Sequence, residues 1–303
     1  MKAVVLHEYG GPEKLKYEDW RDPEGGDDKV IVQVLSAGVN PIDWKIRSGV
    51  MKDYMPLELP DILGYDYAGV VQSVGKAVTG YAEGDKVFGR TGKTYAQYLL
   101  ADLAGMAKIP VGMGPAEAAA LPVILNTGEQ LIRDAGKVKA GQKVLITGAL
   151  GAVGRTAVWV ARKDGAHVTI GVRGSQKEAA EELGADAILA LDSQEEMNSF
   201  GPVDVVADTL GGTVGNVLLA KVAQGGTFAS VVGPPADAQR YPNIRVEAFG
   251  SHADAEGMRV LAEDIVKGKF RIPISRRYPL AEAARAHAET EKGGVGGKVL
   301  LLT

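Results

Sequence analysis

Between a Val/Ile-rich run and an apolar helical run stands Thr147-Gly148-Ala149-Leu150-Gly151-Ala152-Val153-Gly154. Spaced as Ala149-x-Gly151-x-x-Gly154, it is a dinucleotide fingerprint with alanine in the first glycine's place. Gly151 lets the backbone approach a pyrophosphate, and Gly154 lets the helix pack close on the sheet. Ala152 and Val153 open a helix whose free N–H groups face the anion. A tight structural turn is the other reading of three glycines so placed. The strand before, the helix after and the further strand–helix units that follow all agree with dinucleotide binding.

The next strand ends Gly171-Val172-Arg173-Gly174-Ser175-Gln176-Lys177. An Asp or Glu usually stands there to accept hydrogen bonds from the ribose 2′-hydroxyl of NAD. Here no carboxylate occurs before Glu178. Arg173, Ser175 and Lys177 suit a 2′-phosphate, which an acid would repel, so the expected cofactor is NADPH; two solvated surface cations are the alternative. Metal chemistry has little to work with. The chain has no cysteine, and its four histidines, His7, His167, His252 and His287, lack any metal-ligand spacing and read as surface or packing residues.

The elements that hold these residues follow from the hydrophobic pattern. Residues 1–10, 28–40 and 65–88 are short, Val-rich, alternating segments broken by Gly, Asp and Pro, as in a mostly antiparallel β unit. From about 115 the chain turns Ala- and Leu-rich at helical spacing, and one helix is expected to lead into the second half. After it, KVLIT (143–147), HVTIGV (167–172), DAILAL (186–191), VDVVADTL (203–210), GTFASVV (226–232) and IRVEAF (244–249) alternate with helices, the signature of a doubly wound parallel sheet of about six strands. A last helix at 255–270 precedes GKVLLL (297–302), a strand that returns to the first domain. The fold class is α/β, with domains 1–122 (completed by 268–303) and 123–267.

Forty glycines in 303 residues, with 46 % hydrophobic residues and no G-X-Y period, point to tight turns in a globular chain, not to collagen or disorder. A net charge of −4 gives no footprint for a nucleic-acid partner. No apolar run is long enough for a membrane span, and the opening MKAVVLHEYGGPEKLKYEDW lacks the apolar core and cleavage site of a secretory signal, so a cytoplasmic location is expected.

Taken with Ala37-Gly38-Val39-Asn40-Pro41-Ile42-Asp43, Gly64-Tyr65-Asp66-Tyr67-Ala68-Gly69, Gly84-Asp85-Lys86-Val87, Leu183-Gly184-Ala185-Asp186 and Gly297-Lys298-Val299, the chain resembles, over nearly its whole length, the zinc-free quinone oxidoreductase and enone reductase branch of the medium-chain dehydrogenase/reductase superfamily. The resemblance implies a GroES-like β domain on the substrate side, a Rossmann domain for NADPH, and a cleft for the nicotinamide. It implies that Asn40 lies near the nicotinamide and that Tyr54 and Tyr67 are candidates to line the substrate pocket; packing is the alternative for each. It likewise places Thr127, Val232 and Gly233 along the nicotinamide, with Asp208, Thr209 and Leu210 beside the cofactor. Zinc-dependent relatives carry a Cys where Val39-Asn40 stands and Gly-His-Glu where Gly64-Tyr65-Asp66 stands, so no metal is expected. A tyrosine that often follows the linker Thr by two residues is here Glu129.

The chemistry left is hydride transfer from NADPH to an electron-poor carbon. Reduction of an α,β-unsaturated carbonyl at its β-carbon is the first expectation, reduction of a quinone the second, and a non-catalytic NADPH-binding protein the third. A homodimer is expected, because IRVEAF reads as an open sheet edge and the resemblance points the same way.

Overall fold

β-Branched residues alternating with polar ones build the first unit's strands. These are β1 (Lys2–Leu6), β2 (Leu15–Asp19), β3 (Val30–Val39), β4 (Asp61–Ile62), β5 (Asp66–Val74), β6 (Lys86–Arg90), β7 (Tyr98–Ala101) and β8 (Met106–Lys108), with helices α1 (Pro41–Arg47) and α2 (Pro115–Ala119) among them. The computed structural model describes residues 1–303. It divides into one unit of Met1–Val123 with Ala253–Thr303 and a second of Ile124–His252.

The second unit contains most of α3 (Pro122–Gln130), then β9 (Lys143–Thr147), α4 (Ala152–Lys163), β10 (His167–Val172), α5 (Lys177–Ala180), β11 (Ala187–Ala190), α6 (Gln194–Ser199), β12 (Val203–Asp208), α7 (Gly212–Leu219), β13 (Val222–Ser230) and β14 (Arg245–Ala248). The chain then re-enters the first unit with α8 (Ala255–Val266), β15 (Ile274–Pro279), α9 (Ala283–Lys292) and β16 (Lys298–Leu302).

In the second unit six strands run in the order β11-β10-β9-β12-β13-β14, and every neighbouring pair is parallel. This is the doubly wound sheet expected from continuous apolar runs: Val144, Leu145, Ile146, Val168, Ile170, Val205, Val206 and Phe228 are buried. The order reverses between β9 and β12, and sheets of this kind take their ligands at the carboxyl ends of the strands flanking such a switch point. β14 pairs only with β13 and forms one edge.

In the first unit a seven-stranded sheet follows the path β15-β16-β3-β5-β6-β8, with β7 also paired to β3, and β2-β1-β4 forms a smaller sheet. β16 runs antiparallel to β3, Val299 opposite Val39, so the late strand does return to the first domain. Val4, Leu6, Val30, Val32, Val34, Val71, Val87 and Leu99 fill this core. No helix is long and apolar enough to cross a membrane.

Two expectations need correction. The single linker helix is broken after α2, because Pro122 offers no N–H to continue it and disfavours helical backbone at Leu121; beyond α3 a π-type turn follows over Leu131–Ala135. The second boundary lies before α8, at 252/253, and not at 267/268. α8 buries Met258, Leu261 and Ala262 and packs on β8, a contact distant in sequence that local composition does not carry.

Candidate functional site

The glycine turn joins β9 to α4 with geometry that glycine alone supplies. Gly148 has φ +60°, and a Cβ there would lie 2.3 Å from the Thr209 hydroxyl oxygen. At Gly154 a Cβ would lie 2.3 Å from the Gly148 carbonyl oxygen and 2.7 Å from the Ala149 Cα, so the helix seats against the turn only without one. Gly151 is the N-cap of α4 and has no side-chain hydrogen bond, which leaves the first-turn N–H groups of Ala152, Val153 and Gly154 without a side-chain acceptor. A dinucleotide pyrophosphate fits this cradle: a close-approach glycine at the mouth and a helix N-terminus behind it.

Asp208 ends β12 as a buried hub, not as an exposed ligand. Its carboxylate accepts the Thr147 hydroxyl (2.8 Å), the Ser230 hydroxyl (3.1 Å) and the N–H groups of Leu210 (3.1 Å) and Gly211 (3.0 Å). It therefore ties the carboxyl ends of β9, β12 and β13 together. Its lone pairs serve protein donors, so its part at the carboxyl edge of the sheet is to hold these strand ends and not to bind a ligand directly. Thr209 donates its hydroxyl to the Thr147 carbonyl (2.8 Å), and Leu210 is half exposed. Val232 is partly exposed and packs near Gly211, while Gly233 turns with φ +107°. Thr127 on α3 shares a hydrogen bond with Ser251 (2.7 Å). The neighbouring Gly128 brings α3 onto α4, where a Cβ would meet the Val153 carbonyl at 2.8 Å.

Arg173 and Ser175 are exposed just beyond β10. Lys177 differs: its ammonium donates to both Glu196 oxygens, 2.7 and 2.8 Å away, and Glu196 also accepts the Ala190 N–H. Its charge is already answered, so the two-cation reading reduces to Arg173 as the cation without a carboxylate partner. Arg155 escaped the sequence reading. It holds the glycine turn from within α4, donating from Nε to the Leu150 carbonyl (3.1 Å) and pairing with Glu182 (2.6 Å). Glu129 pairs with Arg133, which also grips Asp164 through two 2.8 Å bonds.

In the first unit a buried polar cluster surrounds Asn40. Its side-chain N–H donates to Asp66 (2.8 Å), and its amide oxygen accepts from the Lys298 ammonium, which also lies 3.2 Å from Asp66. The other Asp66 oxygen accepts the Val123 N–H (2.7 Å). Asp43 Oδ2 accepts the Asn40 backbone N–H and the Tyr95 hydroxyl, both at 2.7 Å. Tyr95 in turn meets His287 Nε2 at 3.3 Å.

Burial pushes the Asp43 carboxyl up to about 7, against the two hydrogen bonds that favour its charge; the nearby Asp66 raises it further and Lys298 opposes. Burial, then the positive Arg47, pulls His287 down to about 3. Asp43 Oδ1 and His287 Nδ1 are buried without partners. Tyr67 is fully buried, its hydroxyl unpartnered and its acidity suppressed by burial; it packs in the core, and the pocket-lining expectation is corrected. Tyr54 is 84 % exposed. The sequence reading missed Asp43, Asp66, Tyr95 and Lys298 as one cluster because they come from four distant segments.

Comparison with known proteins identifies two domain families: the alcohol dehydrogenase GroES-like domain over residues 26–122 and the zinc-binding dehydrogenase family over 183–301. The chain is 31 % identical to the quinone oxidoreductase of Homo sapiens, covering 100 % of this chain and 98 % of that one. It is 30 % identical to the 2-methylene-furan-3-one reductase of Solanum lycopersicum, covering 99 % and 79 %. Among solved structures, a mycobacterial protein complexed with NADPH superposes with a TM-score of 0.85 at 28 % identity, covering 100 % of both chains. The zinc named in the second family finds no fitting donors here. No group of three or more His, Cys, Asp or Glu comes together, and the cation at the buried Asp66 is the Lys298 ammonium.

The opposed titrations of Asp43 and His287 give a measurable signature. Between its ordinary value near 3.8 and about 7, Asp43 keeps its proton only when folded, so its contribution is lost as pH rises through that window. At about 1.36 kcal/mol per pKa unit the loss is about 4 kcal/mol. His287 acts oppositely: held neutral when folded, it loses stability as pH falls from 6.5 towards 3. In the parent protein the two offset each other. Asp43→Asn keeps an acceptor for both donors, and its amide N–H₂ meets no competing donor at the orphaned Oδ1 position. The melting temperature of the variant is expected to drop more steeply than the parent's from pH 7 to 4.5, the gap between them narrowing by several degrees from pH 4.5 to 8. Parallel pH profiles would refute the assignment.

Proposed function

The chain belongs to the quinone oxidoreductase branch of the medium-chain dehydrogenase/reductase superfamily, and from that membership we propose that it reduces a quinone by two electrons at the expense of NADPH, without a metal ion. The observation that carries this reading is full-length similarity to proteins named quinone oxidoreductase, combined with a dinucleotide cradle at the sheet's switch point. The bound cofactor would supply a hydride. The chain's own part is to hold and orient it: the turn at Gly151 and the α4 N-terminus take the pyrophosphate, Arg173 and Ser175 take the 2′-phosphate, and Thr127, Leu210, Val232 and Gly233 line the ring. Asn40 is proposed as a positioning residue on the substrate side: it is 1 % exposed and both ends of its amide are held, by Asp66 and Lys298, so it supports the site from beneath.

A second reading keeps the cofactor and changes the acceptor. Similarity to the tomato 2-methylene-furan-3-one reductase favours an enone. Enones ranked first on sequence alone, and the names of the relatives reverse that order. Donors near the carbonyl oxygen would stabilise the enolate in that case.

For the cofactor, Arg173→Ala is expected to weaken NADPH binding by about 1.5–3 kcal/mol, the worth of one charge-assisted contact, and to leave NADH nearly unchanged. Lys177→Ala should do less, because Glu196 already holds that ammonium. Calorimetric titration of both cofactors measures this, and equal losses for NADPH and NADH in Arg173→Ala would sink the 2′-phosphate assignment.

For the reaction, NADPH absorbance with a panel of quinones and enones is expected to show turnover with quinones, one hydroquinone formed per NADPH. If enones react instead, deuterium from C4 of NADPH should appear at the β-carbon. Label at the carbonyl carbon would rule out conjugate reduction, and no sustained NADPH oxidation with any acceptor would leave only the non-catalytic reading.

We also propose a homodimer paired through the uncovered β14 edge. Light scattering at micromolar concentration should give twice the 31.8 kDa chain mass; a single-chain mass would overturn it.

A further inference from the structure

At the opposite end of the parallel sheet from the glycine turn, the second unit has a cavity of about 310 Å³. The length of β9, from Lys143 to Thr147, separates the two regions by about 13 Å. The cavity is formed by the loop after α3, the start of β12, a bulge in β13 and the start of β14.

That bulge is specified by its residues. The register between β12 and β13 jumps from Val203 opposite Val222 to Val205 opposite Thr227, so the stretch Ala223–Gly226 loops out of the ladder. Gly225 turns with φ +78° while its N–H donates to the Asn243 carbonyl (2.9 Å). A Cβ on Gly226 would lie 2.6 Å from the Asp204 carbonyl oxygen and 2.8 Å from that of Ala223. Facing the bulge, Lys137 holds φ +51°, one of two non-glycine residues with positive φ. Left-handed backbone at a lysine is strained, and such outliers gather at ligand sites.

The charge of the lining is one-sided. Lys137, Lys139 and Arg245 line the cavity with one carboxylate, Asp204; Glu247 already answers the Arg245 charge, so the surplus charge is that of the two lysines. Asp204 is engaged by the Lys143 N–H (2.8 Å), and Arg245 is anchored by the Ala135 carbonyl and Glu247. Both lysine side chains are exposed and have no carboxylate partner. We propose that this cavity binds a small, multiply charged anion, carboxylate- or phosphate-bearing, at a site separate from the dinucleotide cradle. The fixed guanidinium orients the anion, and the two flexible ammonium groups close over it.

The test is titration calorimetry on the full chain with NADPH saturating, so that the cradle is filled, using inorganic phosphate and citrate as probes and sodium chloride at matched ionic strength as the control. Saturable binding of either probe supports the site. Phosphate alone would identify a phosphate ligand, and citrate alone a carboxylate. The variant Lys137→Asn with Lys139→Ala removes both charges, and asparagine tolerates the left-handed backbone. It should weaken binding at least about tenfold with an unchanged circular dichroism spectrum. If Lys137→Asn disturbs folding, Lys139→Ala alone should still weaken binding several-fold. Heats that follow ionic strength without saturating, or equal affinity in parent and variants, would overturn the proposal.

Discussion

A buried ammonium holds the first unit together. Lys298 reaches from β16 to the Asn40 amide oxygen and to Asp66, with its side chain 5 % exposed and that of Asp66 wholly enclosed. Two charges taken out of water gain little net stability when paired, yet removing one strands the other at a cost of about 3–5 kcal/mol. What the arrangement secures is position. Four segments meet there: the strand carrying Lys298, the β3–α1 junction at Asn40, the head of β5 at Asp66, and the entrance to α3 through the Val123 N–H. The orientation of the Asn40 amide, nitrogen towards Asp66 and oxygen towards Lys298, follows from that meeting and from nothing local to Asn40.

From the same residue a second line of polar groups runs inward. Asp43 caps α1 by accepting the Asn40 N–H, and passes through Tyr95 to His287, beside the buried Arg47, whose guanidinium pairs with Glu291 (2.6 Å). Its neutral or half-satisfied members are placed where an apolar core would have been simpler. Asp43 Oδ1, His287 Nδ1 and Arg47 Nη1 lack protein partners, and incompletely satisfied networks of this kind are sensitive to the loss of any member. The second unit is organised by the corresponding device at Asp208, which has every partner it needs.

The local signals were legible and the distant ones were not. The glycine turn could be read because each glycine answers a steric demand within a few residues, and α4 begins and ends at the residues the pattern marks. The missing acid after β10 was legible for the same reason. By contrast, Glu196 neutralises Lys177 from a different helix, Asp208 is sequestered by strands on both sides, and Lys298 joins Asn40 across most of the chain. Sequence pattern gives each residue's type but not its partner. The break at Pro122 is written in the sequence but masked by the surrounding alanines and leucines, whose helical spacing continues on both sides of it.

The pairing of β3 with β16 has a consequence for how the chain is made. Val39 waits for Val299, and at about 5–20 residues per second the intervening stretch takes roughly 13–52 s to synthesise. The second unit, continuous from 124 to 252, is synthesised whole within that interval. Through that interval the Val30–Gln33 half of β3 has its β7 partner, while the Ser36–Val39 end lacks the strand it pairs with in the folded protein, a short edge open to any other nascent strand nearby. The enclosing domain is begun first and completed last, so its open β3 end must be kept from wrong strand partners for as long as the inserted domain takes to be made.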